Sequence, residues 1–112
     1  MALLLKEEDV RKLLTMDVAL AAMEDLFRQR GNGNAIVRPR TRMAMPGGSN
    51  NLMAGWVGGR VNAYGLKVYG GPRSGTTRPM GMIVLLYDGS NGVLLSVLEA
   101  NHLGRVRTGA AS

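Results

Sequence analysis

The sequence predicts an α+β fold: two N-terminal helices packed on a mostly antiparallel sheet of about five to six strands, ending in a truncated connecting helix. Three observations carry that expectation. Met16, Leu20, Met23 and Phe27 recur at helical spacing near the start of the chain. From Gly31 onward, turn sequences such as Pro46-Gly-Gly-Ser and Asp88-Gly-Ser-Asn-Gly divide short apolar runs at hairpin intervals. Beyond the last of these runs, Asn101 opens a new helical pattern.

Taken in order, Leu3-Leu-Leu reads as a short strand, and Glu7, Glu8 and Asp9 then favour a helix start electrostatically. Val10, Leu13 and Leu14 keep helical spacing. Thr15 or Asp17 caps a second helix whose core stripe is Met16, Leu20, Met23 and Phe27, widened by Leu26. Arg28 and Arg30 suit its last turn, and Gly31 is the expected C′ residue. Residues 36–45 are strand-like, but Pro39 lacks a ladder N–H, so this segment is an edge, a bulge or a strand start. Residues 46–51 form a turn, residues 52–57 return from it, and Gly58-Gly59 turns again. The next strand, residues 61–71, is centred on Lys67. A loop over residues 70–79, strands over 81–87 and 93–98, and a final helix with Leu103, Val106 and Ala110 spaced for burial complete the pattern.

At 112 residues the chain is long enough for a single domain with a modest core. Its 46% hydrophobic content separates it from disordered chains, and with aromatics at 4% the core must be filled by Leu, Val, Ala and Met. The lack of Cys excludes disulfides, thiolate metal sites and thiol nucleophiles, and the single His102 cannot build a zinc site. No metal ligand set is therefore expected. The net charge of +6 suits a nucleic acid, an anionic small molecule, or a piece of a protein whose acidic remainder lies elsewhere. Cations scattered between Arg11 and Arg107, with no run and no interleaved aromatics, argue against nucleic acid. No apolar run nears the roughly 20 residues that span a bilayer, so a cytoplasmic protein without a membrane partner is expected.

Chemistry-bearing candidates are few. Gly65, Lys67 and Tyr69 share one face of their strand, which would aim the Lys67 ammonium into a concavity. A half-exposed strand with its lysine in solvent is the plainer account of that stretch alone. Arg38, Arg40 and Arg42 fall on one face of theirs, opposite Val37, Thr41 and Met43. They serve equally well as a solvated edge that discourages aggregation or as a carboxylate site. Arg107 sits in the second turn of the last helix, where free N–H groups attract anions. Together Arg40, Lys67 and Arg107 would make a cationic pocket for a small amino or keto acid. Glu99 and His102 could move protons but read first as capping or surface residues. Gly70 and Gly75 have phosphate-loop spacing, yet Thr76 stands where the lysine belongs. Gly31-Asn-Gly33 follows a helix and lacks a third glycine, so it is no dinucleotide fingerprint.

In order and spacing, several of these pieces match a known family: Leu5-Lys-Glu-Glu-Asp-Val-Arg, Met16-Asp-Val-Ala-Leu, Pro39-Arg-Thr, Gly65-Leu-Lys-Val, Ile83-Val-Leu-Leu-Tyr-Asp and Arg107-Thr-Gly-Ala-Ala-Ser. The chain resembles the N-terminal portion of the ornithine cyclodeaminase/mu-crystallin family. Met53-Ala-Gly-Trp56 departs from that family's Met-Pro-Ala-Tyr-like segment. The resemblance implies a substrate-binding and dimerisation domain, in which sheets from two subunits associate. It implies that Arg40 and Arg107 hold a substrate carboxylate, that Lys67 is catalytic and lies beside the reacting carbon, and that Arg107 also approaches the cofactor's nicotinamide. NAD or NADP is implied for the full-length family, bound by a Rossmann domain that this sequence lacks. By itself the chain is expected to bind no cofactor and to be inactive.

Three functions follow. One is the substrate-binding and dimerisation domain of a cyclodeaminase or ketimine reductase-like enzyme. Another is a free-standing homodimeric module for a small carboxylate. The third is a basic nucleic-acid binder.

Overall fold

The computed structural model describes residues 2–71 and 81–111. The chain runs β1 (Leu3–Leu5), α1 (Glu7–Leu13), α2 (Met16–Gly31), β2 (Ala35–Val37), β3 (Thr41–Met45), β4 (Gly48–Val57), β5 (Ala63–Gly70), β6 (Met82–Asp88), β7 (Leu94–Glu99) and α3 (Asn101–Ala111). The strands form one sheet in the order β1-β7-β6-β5-β4-β2, with β3 also on β4. Every pairing is antiparallel except that of β1 with β7. This is the α+β architecture expected. Among the described residues it has seven strands, because the edge segment breaks in two at Pro39, and β2 and β3 share β4 as their partner. The loop and phosphate-loop readings centred on residues 72–80 lie outside the described residues.

Local chemistry accounts for the helices. In α1 the acidic first turn is locked by Asp9, whose Oδ2 accepts from the Lys6 N–H at 3.0 Å. Thr15 caps α2 as expected, its Oγ1 accepting from the Val18 N–H at 3.3 Å. At the other end the left-handed residue is Gly33, with φ of 74°, two positions beyond Gly31. The expected core stripe of α2 is rotated. Ala19 and Met23 are buried, whereas Leu20 is 48% and Phe27 54% exposed. α3 approaches the start of this helix, where a Cβ on Gly109 would lie 3.4 Å from the Met16 methyl.

Pro39 has a further consequence. Val37 stands opposite Gly55 and Thr41 opposite Leu52, so four steps along the edge match three along β4. The extra residue reverses the alternation, as a bulge does. Arg40 and Arg42 keep a common face, but Arg38 does not share it, which corrects the single Arg face read from the sequence. The following turn is tighter than expected: Pro46-Gly47 alone connects Met45 to Gly48, with Gly47 at φ of 84°. Residues 48–51, read as turn, are strand.

The two faces of the sheet differ. Asn51, Ala63 and Ser96 are buried on the face beneath the helices. On the other face Leu4, Ile36, Met43, Leu52, Tyr64 and Ile83 are all exposed, and Tyr64 stacks on Tyr87 at 4.9 Å. Among the described residues the buried apolar core is only Val10, Ala19, Met23, Ala63 and Ala100. No described helix is long and apolar enough to cross a membrane.

Candidate functional site

The site is built on β5. Alternation places Ala63, Gly65, Lys67 and Tyr69 on the helix-covered face, with Lys67 opposite Met53 on one side and Val84 on the other. Gly65 lies opposite Gly55 of β4, so toward β4 the sheet surface one step from Lys67 carries no side chain. The Lys67 Nζ stands 5.2 Å from the centroid of the Tyr69 ring, within range of a cation–π attraction. The Tyr69 hydroxyl in turn accepts from Arg40 Nη1 at 2.9 Å. Arg40, Tyr69 and Lys67 therefore form a chain of contacts along one face. Asn51, directly opposite Tyr69, is 1% exposed and its Oδ1 has no hydrogen-bond partner.

The roof is α3. Its sequence offers Asn101 as a cap, but the structure caps it from far away. Glu7, the first residue of α1, accepts from the Asn101 N–H through Oε2 at 2.9 Å and from the His102 N–H through Oε1 at 3.1 Å. A carboxylate on free N–H groups at a helix start is favoured by both hydrogen bonding and the dipole. Glu99 supports the arrangement by accepting from the Glu7 N–H at 3.4 Å. Gly104 then lets the helix approach the sheet, since a Cβ there would lie 3.3 Å from Met82 Sδ.

Between α1, α3, β5 and β6 lies an open cleft of about 730 Å³. Glu7 and Arg11 line it from α1, Lys67 and Met82 from the sheet, and Asn101, Gly104, Arg105, Arg107 and Thr108 from α3. Lys67 and Arg107, read from the sequence as one pocket, thus face the same cavity. Arg40 does not line it and reaches it only through Tyr69. His102 and Glu99 act as anchors: His102 Nε2 lies 3.4 Å from the Leu14 carbonyl, tying α3 to the α1–α2 junction. Among the described residues no three His, Cys, Asp or Glu side chains could share a metal. Asp88 is held below its ordinary carboxyl value through its bonds to the Ser90 hydroxyl and then the Ser90 N–H. It ends β6, where the turn to β7 begins, and does not line the cleft.

Tyr69, Glu7, Arg11 and Arg105 were not read from the sequence as site residues. Tyr69 could have been, since it follows Lys67 on the same strand face. Nothing local marks Glu7, whose partners are 94 and 95 residues away.

A mixed sheet covered on one face by helices, with a cation-lined cleft beneath the last of them, defines an α+β domain. The chain belongs to the ornithine cyclodeaminase/mu-crystallin family, whose sequence model matches residues 1–112. It is 29% identical over 110 residues to an alanine dehydrogenase of Archaeoglobus fulgidus, covering 97% of this chain and 34% of that protein. Its fold matches an archaeal alanine dehydrogenase dimer with bound NAD at a TM-score of 0.87 and 29% identity, over 98% of this chain and 34% of that one. It matches the Δ1-pyrroline-2-carboxylate reductase of Thermococcus litoralis, solved with NADH and L-proline, equally well: TM-score 0.87, 29% identity, 97% and 35% coverage. The chain thus spans about a third of the length of these relatives.

Neither strand-to-helix junction fits the pyrophosphate of such a cofactor. The first opens with Glu7, Glu8 and Asp9, and the second has its leading N–H groups engaged by Glu7.

Proposed function

We propose that this chain is the substrate-binding and dimer-forming part of an NAD(P)-dependent enzyme acting on small amino acids or their imines. Lys67 and Arg107 hold the substrate carboxylate, with Lys67 beside the reacting carbon and Arg107 also toward the nicotinamide. Arg40 contributes through Tyr69, fixing the ring beneath Lys67 and adding to the positive field. The cofactor's phosphates are held by a part of the enzyme outside these residues, and the cofactor supplies hydride chemistry when bound there. The exposed face of the sheet meets its counterpart on a second copy. An enzyme of the cytoplasm is the setting that fits this chemistry.

The observation that supports this reading best is the convergence of Lys67 from a strand and Arg107 from a helix on one cleft. Their separation in sequence makes that convergence a product of the fold. The test is a thermal-shift titration of this chain with amino and keto acids, beside an Arg107→Ala variant. Binding should weaken roughly tenfold to a hundredfold in the variant, the value of a charge-assisted hydrogen bond to a carboxylate. Equal shifts in both proteins would remove Arg107 from the site.

A further inference from the structure

The cleft carries more positive charge than one carboxylate uses. Among the described residues four cationic side chains line it, Arg11, Lys67, Arg105 and Arg107, against the single carboxylate of Glu7. Both Glu7 oxygens are already bonded to backbone N–H groups of α3. Among the described residues, the ion pairs are confined to Arg28 with Glu24 and Asp25 on α2, so none of the four is held in an ion pair.

The cations also occupy two levels. Lys67 rises half-buried from the sheet beside Met82, at the floor of the cleft. Arg11 and Arg105, exposed like Arg107, stand on two different helices, each one helical turn beyond a residue that anchors the α1–α3 junction: Glu7 for Arg11, Asn101 for Arg105. That junction therefore holds the bases of the two arginines on either side of the opening. Like charges held together are mutually repulsive until an anion enters, and guanidinium groups suit a planar carboxylate.

We infer that the preferred substrate is a dicarboxylate: an amino, imino or keto acid whose first carboxylate lies with Lys67 and Arg107 and whose second is taken by Arg11 and Arg105. The inference rests on the reading that this cleft binds an acid at all. It adds that the side chain of that acid is itself anionic.

The test measures affinities of this chain for pyruvate and L-alanine, for oxaloacetate and 2-oxoglutarate, and for inorganic pyrophosphate, in the wild type and in an Arg11→Gln/Arg105→Gln double variant. Both substituted residues are exposed and make no ion pair among the described residues; circular dichroism confirms that the fold is retained. The dicarboxylates should bind about tenfold more tightly than the monocarboxylates, a preference that falls toward unity in the double variant. Equal affinity for both acid classes in the wild type overturns the dicarboxylate assignment while leaving acid binding intact. A preference that survives the double variant also overturns it, as does pyrophosphate binding as tightly as the dicarboxylates. No binding of any acid overturns the assignment together with the reading beneath it.

Discussion

The two faces of the sheet are made by the same strands and differ in nearly everything else. Beneath the helices, β4 and β5 present Gly55, Gly65, Lys67, Tyr69 and the buried Asn51. On the reverse the same two strands present Leu52, Ala54, Trp56, Tyr64, Leu66 and Val68. Alternation alone sorts the residues, so each step along β5 switches between a polar row and an apolar one. The covered face is closed by this chain itself, through the Glu7 cap and the approach allowed by Gly104. The other face exposes apolar side chains over several adjacent strands, the pattern of a surface that is covered in the working protein. The proposed chemistry and the proposed assembly thus fall on opposite sides of one sheet, and a change on one side should leave the other nearly untouched.

The largest expected effect comes from charging the open face. Leu52→Glu with Ile83→Glu places acids where two sheets would meet, and like charges facing each other across a twofold interface cost several kcal/mol. Dimer dissociation measured by light scattering should rise at least about a hundredfold, while acid binding in the cleft stays within a factor of a few. Dissociation accompanied by loss of acid binding would show that the faces are coupled.

On the covered side, Glu7→Ala removes the cap of α3 and frees two N–H groups. By the usual value of a helix cap it should lower unfolding stability by about 1–2 kcal/mol in denaturant titrations. Glu7→Gln, which keeps one acceptor, should lose less. A smaller and more local effect is expected of Tyr69→Phe. It deletes the acceptor for Arg40 but keeps the ring beside Lys67, so acid affinity should fall by a few-fold, about 1 kcal/mol. Affinity unchanged in this variant would mean that Arg40 is an exposed edge residue only.

The smallest effect lies far from both faces, at Asp88. Its carboxyl is held below the ordinary range by Ser90, so its stabilising contribution is present at neutral pH and fades as the pH falls through that lowered value. Wild type and Asp88→Asn should differ slightly at pH 7 and converge on acidification, as followed by thermal unfolding.

What could be read from the sequence was whatever depends on neighbours along the chain. The Asp88-Gly-Ser-Asn-Gly turn, the Thr15 cap and the face shared by Gly65, Lys67 and Tyr69 all follow from a few adjacent residues. Arg38 was misplaced because one bulge at Pro39 inverts the count on either side of it. The α2 stripe was misread for a different reason. Periodicity marks Leu20 and Phe27 as apolar, but tertiary packing buries Ala19 and Met23 instead. Of the candidate site, Lys67 and Arg107 were legible as residues and their meeting was not. It depends on a cap that spans nearly the whole chain.

That cap has a consequence for how the domain is made. The partners of Glu7 are Asn101 and His102, and β1 pairs with β7 through Leu3 opposite Ser96 and Leu5 opposite Leu98. On the ribosome, residues 3–11 emerge early and find no docking place until the segment around residues 94–102 has followed. Such distant pairings delay folding because the long loop between them must close first. Until then Leu3-Leu-Leu remains an unpaired apolar strand, the part of the nascent domain most in need of shielding.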